Sequence, residues 1–223
     1  MTVDVTTIAA AADEVRDRIS AAGGDPASIR LVAVTKGQPV EVVRAALEAG
    51  LVDLGESYPQ ELAAKADAVD DPTVQWHCIG RLQRNKVRQI ASHIHLWQSI
   101  DRLSLAAEVA QRAPGAKVLV QVNVTGASQQ GGCPPERAAS VVEGCSDLGL
   151  EVLGLMAIGA LGPPDEVRAG FRTVRELADR LGLPERSMGM SGDLESAIAE
   201  GTTMVRVGTS IFSPRGGTSA PAN

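Results

Sequence analysis

The feature that most constrains this chain is a regular alternation of short apolar segments with longer amphipathic ones. The apolar segments predict β-strands at residues 31–35, 51–54, 74–79, 96–100, 117–124, 151–158, 186–190 and 204–207. Apolar residues at helical spacing predict helices between them, at 40–48, 58–69, 83–92, 102–112, 134–148, 164–181 and 193–200. Strands that alternate with helices in this way indicate βαβ units and a parallel sheet.

Two α/β folds satisfy this pattern: a closed (β/α)8 TIM barrel and an open, doubly wound sheet. The number of strands favours the barrel, for which about 200 residues suffice. No GxGxxG motif follows the first strand, so the dinucleotide-binding form of the open sheet loses its main support. We therefore predict a single-domain barrel at 31–212, with an extra helix within residues 1–30 and a flexible tail at 213–223.

The composition excludes several classes of function. Aromatic residues make up only 2% of the chain, so the platforms that stack nucleobases are not expected, and a net charge of −6 argues against a nucleic-acid partner. No apolar run approaches the roughly 20 residues that span a bilayer, and no signal peptide is recognisable. Three cysteines without CxxC spacing are typical of reduced thiols. We expect a soluble, cytoplasmic protein.

Lys36 is the first candidate for chemistry, because it ends the first apolar segment and precedes Gly37 and Pro39. Such a lysine either extends from a strand end into solvent or acts as a nucleophile. Burial disfavours the charged ammonium, so a buried amine can lose its proton and attack an aldehyde. Barrels also place their functional residues where strands open into loops.

The loops after the last two predicted strands are rich in glycine and hydroxyl side chains. Ser191 and Gly192 follow the seventh strand, and Gly208 and Thr209 follow the eighth. Backbone N–H groups with such hydroxyls bind phosphate, and barrels commonly hold phosphate after these two strands. Each loop alone is also explained as a serine helix cap or an ordinary turn. The two together predict a phosphate site.

Arg206 lies within the last strand, on the opposite face from Val205 and Val207. It is either a cation that points into the barrel or one member of a buried ion pair. An amine, a phosphate cradle and an interior cation together suggest pyridoxal 5′-phosphate (PLP), which offers an aldehyde, a phosphate and a ring nitrogen.

The histidines have simpler interpretations. His77 lies in the middle of a strand, where a core histidine satisfied by hydrogen bonds competes with a catalytic base. His93 and His95 have no carboxylate or cysteine nearby in the sequence, so we expect no metal site.

Two further sets of charged residues are interpreted as structural or as surface. Glu56 ends a strand and is interpreted as structural. The basic helix face formed by Arg84, Lys86 and Arg88 is typical of a solvated surface, although such a face can attract an anionic ligand.

Nine sequence motifs point to a family. They are LVAVTK at 31–36, GESY at 55–58, QWHCIG at 75–80, LQRNK at 82–86, SIDR at 99–102, GLMAI at 154–158, MGMS at 188–191, AIAEG at 197–201 and MVRVGT at 204–209. In these motifs and in their order, the chain resembles the pyridoxal-phosphate homeostasis proteins, from about residue 31 to residue 215. Several motifs of this length make the resemblance specific.

The resemblance implies a fold-type III barrel like the N-terminal domain of alanine racemase. It implies PLP held as a Schiff base on Lys36, with Arg206 near the pyridine nitrogen. The other residues that it implies at the cofactor are Ser191, Gly208 and Thr209 at the phosphate, and Ser57, His77 and Met156 nearby.

The chain departs from the family pattern at four places. Ser57 stands where the family usually has asparagine, which puts a cofactor contact in question. Gln38 replaces a second lysine, and QQGG at 129–132 replaces a stretch that includes another lysine. Any secondary capture or transfer of PLP by those lysines is therefore in question. Arg81 replaces a proline.

The resemblance implies a carrier that binds PLP reversibly, limits the free aldehyde and supports supply to apo-enzymes, without turnover. The first alternative is a racemase-like PLP enzyme, which needs acid/base groups on both faces of the substrate α-carbon. In the racemases one of these is a tyrosine from a second, β-rich domain, whereas Tyr58, the only tyrosine here, follows the second strand. The second alternative is a phosphate-sugar barrel enzyme with Lys36 as an aldolase nucleophile. Because we expect no second domain, we also expect a monomer.

Overall fold

The computed structural model describes residues 4–127 and 129–213, whose eight parallel strands close into a barrel. The strands are β1 (Arg30–Val34), β2 (Asp53–Glu56), β3 (Gln75–Cys78), β4 (Ile94–Ile100), β5 (Lys117–Gln121), β6 (Glu151–Met156), β7 (Glu185–Ser187) and β8 (Met204–Val207). The α-helices are α1 (Val5–Ala21), α2 (Val40–Glu48), α3 (Pro59–Val69), α4 (Arg84–Ile90), α5 (Leu103–Arg112), α6 (Ala138–Asp147), α7 (Pro164–Arg180), α8 (Leu194–Ala199) and α9 (Thr209–Phe212), and a 3-10 turn (Pro135–Arg137) precedes α6.

The pairing of the first and last strands closes the sheet. Arg30 lies opposite Met204, and Ala33 lies opposite Val207, in a parallel register between β1 and β8. Consecutive strands pair all the way round. This arrangement confirms the predicted α/β (β/α)8 TIM barrel and excludes the open, doubly wound sheet.

The extra helix predicted before the first strand is present as α1. Asp4 caps it, because its carboxylate accepts a hydrogen bond from the Thr7 backbone N–H at 2.8 Å. The helix packs against α2, α8 and α9. Since α9 has only four residues, α1 occupies the place in the outer helical layer that a full helix after β8 would fill.

The second strand begins two residues later than predicted, because Leu51 forms part of the C-terminal cap of α2. Gly50 adopts a left-handed φ of 81°, and the Leu51 N–H donates to the Ala46 carbonyl at 2.9 Å. This is the Schellman arrangement, in which the first apolar residue after the glycine packs back on the helix. The apolar pair 51–52 therefore marks a helix end, and β2 starts at Asp53.

Five strands leave the sheet earlier than predicted at their C-terminal ends. β1, β3, β5, β6 and β7 end at residues 34, 78, 121, 156 and 187, where the apolar segments end at 35, 79, 124, 158 and 190. After β7 the chain bends at Gly189, whose φ of 96° is incompatible with a strand. The residues after these strand ends therefore belong to loops at the C-terminal end of the barrel.

The buried residues form two layers. The main apolar core lies between the strands and the helices. A smaller apolar cluster, separate from the main core, comprises Val32, Leu96, Leu119, Met156 and Met204. Strand alternation places these side chains on the inner face of the barrel. The buried polar residues that matter below are His77, Gln98, Ser187 and Arg206.

Some predictions concern residues at the edge of the described part of the chain. The flexible tail proposed for 213–223 lies outside it, apart from Ser213.

Cys78, Cys133 and Cys145 are buried and free of disulfides. Across 4–127 and 129–213, the helices are all too short or too polar to cross a membrane.

Candidate functional site

A cavity of about 330 Å³ opens at the C-terminal ends of the barrel strands. Its described lining residues are Val34, Lys36, Ser57, Ile79, Ile158, Met190, Ser191, Gly192, Arg206, Gly208 and Thr209. The lining includes six of the eight predicted site residues, namely Lys36, Ser57, Ser191, Arg206, Gly208 and Thr209. The fold therefore brings together the amine, the two hydroxyl-rich loops and the interior cation.

Lys36 lies at the rim of this cavity, and its side chain is exposed. β1 ends at Val34, and Thr35 is the last buried residue before the loop. The chain then turns, because Gly37 adopts a left-handed φ of 71° and the Gln38 N–H donates to the Thr35 carbonyl at 3.0 Å. This turn carries the Lys36 amine beyond the buried part of the strand, as in the first of the two interpretations, and the amine lies at the rim of the cavity.

The buried lysine at this end of the barrel is Lys65, which sequence reasoning missed. Its side chain is only 6% exposed, and its Nζ donates to Glu56 Oε1 at 2.5 Å and to the Thr35 carbonyl at 2.7 Å. The Thr35 hydroxyl donates to the same Glu56 oxygen at 2.7 Å. Lys65 and Glu56 therefore fix the backbone immediately before Lys36, which confirms the structural interpretation of Glu56.

The sequence carried a signal for Lys65. The buried positions of α3 are Leu62, Lys65 and Ala66, which share one helix face at a spacing of three to four residues. A charged residue inside an apolar helix stripe is rarely buried unless it is paired. The partner, Glu56, comes from the preceding strand end, so the pair could be suspected from the pattern, although not its contact with Thr35.

Burial of Glu56 has an electrostatic consequence. Desolvation raises the pKa of the Glu56 carboxyl, although the hydrogen bonds from Lys65 and Thr35 act in the opposite direction. The second carboxyl oxygen, Oε2, is buried and has no hydrogen-bond partner among the described residues. This carboxyl therefore takes up a proton more readily than an exposed glutamate does.

The two hydroxyl-bearing loops meet at Ser191. Its Oγ accepts hydrogen bonds from the Thr209 hydroxyl at 3.4 Å and from the Ser210 backbone N–H at 3.3 Å. A Cβ at Gly208 would lie 3.0 Å from the Val34 carbonyl oxygen, so glycine permits the close approach of this loop to β1. The loops after β7 and β8 thus present adjacent hydroxyl groups to one cavity, as predicted for a phosphate site.

The N-terminal helix supports the first of these loops. Arg18 of α1 donates through NH2 to the Ser191 carbonyl at 3.1 Å and pairs with Glu195 at 2.8 Å. The helix that precedes the barrel therefore helps to hold Ser191 in place, a role that the sequence pattern did not indicate.

Arg206 is a buried cation, 3% exposed, that reaches the cavity from the barrel interior. Its NH1 donates to the Ser187 carbonyl at 2.8 Å and to the Ser187 hydroxyl at 2.5 Å, and its NH2 donates to the Ala157 carbonyl at 2.7 Å. Within the described residues, no carboxylate forms an ion pair with it, so the buried ion-pair alternative is not supported. Desolvation lowers the pKa of Arg206 to about 10, which leaves the guanidinium charged at neutral pH.

Ser57 lines the cavity, and its backbone is in close contact with Gly80. A Cβ at Gly80 would lie 2.1 Å from the Ser57 carbonyl oxygen, so the chain after β3 approaches Ser57 as closely as only glycine allows. This contact joins the loops after β2 and β3.

His77 and Met156 do not line the cavity. Met156 belongs to the small apolar cluster on the inner face of the barrel. His77 is fully buried, and its Nε2 donates to Asp53 Oδ1 at 3.0 Å. Asp53 is the first residue of β2, so this hydrogen bond lies towards the end of the barrel opposite the cavity. Burial lowers the pKa of His77, more than the Asp53 carboxylate raises it. Of the two interpretations of His77, the structure supports the core histidine satisfied by hydrogen bonds.

A chain of hydrogen bonds through the barrel links His77 to Arg206. Gln98 donates through Nε2 to His77 Nδ1 at 2.8 Å, and its Oε1 accepts from the Ser187 hydroxyl at 2.7 Å. Ser187 in turn accepts from Arg206. Residues from β2, β3, β4, β7 and β8 therefore position the cation, and sequence reasoning missed Asp53, Gln98 and Ser187 because only the closed sheet brings them together.

Comparison with known proteins gives consistent results. The family model described as "Alanine racemase, N-terminal domain" matches residues 3–215. The chain is 42% identical to the pyridoxal phosphate homeostasis protein of Pseudomonas aeruginosa, over 96% of this chain and 97% of that protein. It is also 42% identical to the protein of the same name from Aquifex aeolicus, over 83% of this chain and 87% of that protein.

A solved structure provides the corresponding comparison of the folds. The structure of PipY from Synechococcus elongatus, described as having PLP bound, matches with a TM-score of 0.79 and 32% identity. The match covers 92% of this chain and 100% of that chain. The similarity therefore extends over nearly the whole length of both proteins.

Proposed function

The chain belongs to the family of pyridoxal phosphate homeostasis proteins, and from this premise we propose that it binds PLP covalently on Lys36 and acts in PLP homeostasis. The observation that carries the proposal is the shared cavity, in which Lys36, the hydroxyl-bearing loops and the buried Arg206 all meet. Six residues are proposed to hold the cofactor: Lys36, Ser57, Ser191, Arg206, Gly208 and Thr209.

The chemistry available to Lys36 is imine formation. Bound PLP supplies an aldehyde, which reacts with amines. The Lys36 nitrogen adds to the aldehyde carbon, and one molecule of water leaves as the C=N bond forms. The exposed amine at the cavity rim is accessible for this step, and the Lys65–Glu56 pair holds the adjacent backbone.

The donor set in the cavity fits the rest of the cofactor. We propose that the Ser191 and Thr209 hydroxyls and the loop at Gly208 bind the phosphate. Arg206 is proposed as the partner of the pyridine nitrogen, since it is charged and buried and its hydrogen bonds go to Ser187 and Ala157. A fixed cation at this position keeps the ring nitrogen unprotonated and makes the ring a weaker electron sink.

The same cavity supports a carrier rather than a catalyst. Its described lining residues include no carboxylate, histidine, cysteine or tyrosine, and the proposed covalent link to PLP engages Lys36 itself. Racemisation needs a second acid/base group, and Tyr58 does not line the cavity. We propose that the protein sequesters the reactive aldehyde and supports its supply to PLP-dependent apo-enzymes, acting as a cytoplasmic monomer.

A spectroscopic experiment tests the proposal. Purified protein mixed with PLP should develop a near-visible Schiff-base absorption band that borohydride removes. Lys36→Ala should lack the band, whereas Lys117→Ala should retain it, since Lys117 is exposed at the start of β5 and hence at the opposite end of the barrel. Peptide mapping after borohydride reduction should place the adduct on Lys36, one of four lysines in the chain. A protein that stays colourless with PLP contradicts the proposal.

A second measurement separates the carrier from the racemase alternative. The PLP-loaded protein is incubated with L-alanine or D-alanine, and the enantiomers are resolved by chromatography. We expect no interconversion above the rate of free PLP. Conversion that depends on Lys36 would overturn the carrier assignment and leave the cofactor assignment intact.

A further inference from the structure

A second cavity, of about 460 Å³, opens beside the first. It lies where the loops after β3 and β4 meet the start of α3. Its lining includes Pro59 at the start of α3, Arg81 after β3, Lys86 of α4 and Arg102 after β4. The proposed PLP site does not use any of these side chains.

This second cavity is positively charged although the whole chain is acidic. Its lining contains three cationic side chains and one carboxylate, Asp101, which leaves a local excess of two positive charges. Asp101 pairs with Arg102 NH1 at 2.5 Å, and Arg102 NH2 donates to the Leu82 carbonyl at 3.0 Å. Arg102 is therefore held in position, and its neighbour already compensates its charge.

The excess charge belongs to Arg81 and Lys86. Across the described residues, neither side chain forms an ion pair or a hydrogen bond, although Lys86 is half-buried. The basic helix face consists of Arg84, Lys86 and Arg88, and of these three only Lys86 lines this cavity. Arg84 and Arg88 are exposed and do not line it. Two unpaired cations at one concave surface are the arrangement that binds a small polyanion.

The two cavities share a wall. Ser57 and Ile79 line the first cavity, and Pro59 and Arg81 line the second, on the same two chain segments. At Gly80 these segments are in such close contact that a Cβ would lie 2.1 Å from the Ser57 carbonyl oxygen. A ligand in the second cavity therefore lies on the other side of a thin backbone wall from the first.

We propose that this second cavity is a separate binding site for a small phosphate monoester. The guanidinium group of Arg81 can donate a pair of parallel hydrogen bonds to phosphate oxygens, and Lys86 adds a point charge. Arg81 stands where the family resemblance expects proline, so the charge of this site is partly a property of this chain. The inference does not require Lys36 chemistry.

Calorimetry on the intact protein tests the site. Borohydride-reduced, PLP-loaded protein, in which the first cavity is filled, is titrated with pyridoxine 5′-phosphate, which has no aldehyde, and separately with inorganic phosphate. We expect about one equivalent of pyridoxine 5′-phosphate to bind. Arg81→Gln and Lys86→Gln should each weaken this binding by about tenfold or more. Arg88→Gln, on the same helix but outside the cavity, should not change it.

The outcomes separate this site from the proposed function. Arg81→Gln and Lys86→Gln should retain the near-visible band of the Lys36 adduct, which also shows that they fold. If wild-type protein fails to give the band, the proposed function fails, and titration of the untreated protein still tests the second cavity. Binding of inorganic phosphate with the same dependence on Arg81 and Lys86 supports a site that recognises the phosphate group alone. No second binding event, or equal affinity in all variants, overturns the inference.

Discussion

Lys65 and Glu56 form a buried ion pair next to the residue that precedes Lys36, with 2.5 Å between Nζ and Oε1. Removal of one partner leaves an uncompensated polar group inside the protein. We expect Lys65→Met to lower the free energy of unfolding by about 3–5 kcal/mol, because the Glu56 carboxyl and the Thr35 carbonyl lose their shared donor. Urea denaturation followed by circular dichroism measures this loss.

A double variant and the absorption spectrum provide the controls. Glu56→Leu together with Lys65→Met should recover part of the lost stability, because an apolar pair replaces both charges. Folded Lys65→Met should still form the Schiff-base band, since Lys65 is proposed to support the loop and not to bind the cofactor. A stable Lys65→Met protein without the band would contradict that division of roles between the two lysines.

Ser187 holds Arg206 through two acceptor atoms, its carbonyl at 2.8 Å and its hydroxyl at 2.5 Å. Ser187→Ala removes the hydroxyl from Arg206 and from Gln98, which should cost about 1–3 kcal/mol of unfolding free energy. We also expect PLP to be retained several-fold less tightly, because Arg206 loses one of its positioning contacts. Dialysis against buffer, with the absorption band as the readout, measures retention.

Ser146→Ala is the matched control for this change. Ser146 is exposed in α6, and its hydroxyl donates within the helix to the Val142 carbonyl at 3.2 Å. Its stability should change by less than about 0.5 kcal/mol, with unaltered PLP retention. If both alanine variants behave alike, the hydrogen-bond chain from His77 to Arg206 does not position the cation.

The sequence predicted the strands, the barrel and six of the residues that line the first cavity. These features depend on apolar periodicity and on residues that lie at strand ends. It did not predict contacts between distant elements. The sequence left open whether Lys36 is exposed, the turn at Gly37 exposes it, and the buried amine is Lys65. Likewise, Gln98 lies within the predicted strand at 96–100, and the sequence does not indicate its hydrogen-bond partners. Its contacts with His77 and Ser187 exist only because the sheet closes.

The buried His77 predicts a pH dependence of stability. Its pKa is lowered in the folded protein by burial, so the unfolded chain binds a proton near pH 6.5 that the folded chain does not bind. Stability should therefore fall as the pH decreases below about 6.5, by up to about 1.4 kcal/mol per pH unit for this group. Urea unfolding between about pH 7.5 and about pH 5.5 measures the slope.

Variants of the histidines assign that slope. His77→Gln should reduce it, although His95, whose pKa burial also lowers, should leave a residual dependence. Ser146→Ala should keep the wild-type slope, because it changes no ionisable group. An unchanged slope in His77→Gln would show that this histidine takes up its proton equally in the folded and unfolded states.

Gly80 joins the two cavities and should be intolerant of any side chain. An added Cβ would lie 2.1 Å from the Ser57 carbonyl oxygen and 2.7 Å from its carbonyl carbon, and backbone atoms cannot rotate away as a side chain can. We expect Gly80→Ala to lower the free energy of unfolding by about 1–3 kcal/mol or more, in the range of overpacked cores.

Gly131→Ala is the matched control, because its Cβ would meet only the side-chain amide of Gln121, at 3.4 Å. Its stability should stay within about 0.5 kcal/mol of the wild type. Since displacement of Ser57 moves the wall of both cavities, Gly80→Ala should weaken both the Lys36 adduct and the binding of pyridoxine 5′-phosphate. Loss of one without the other would show that the cavities do not depend on a common wall.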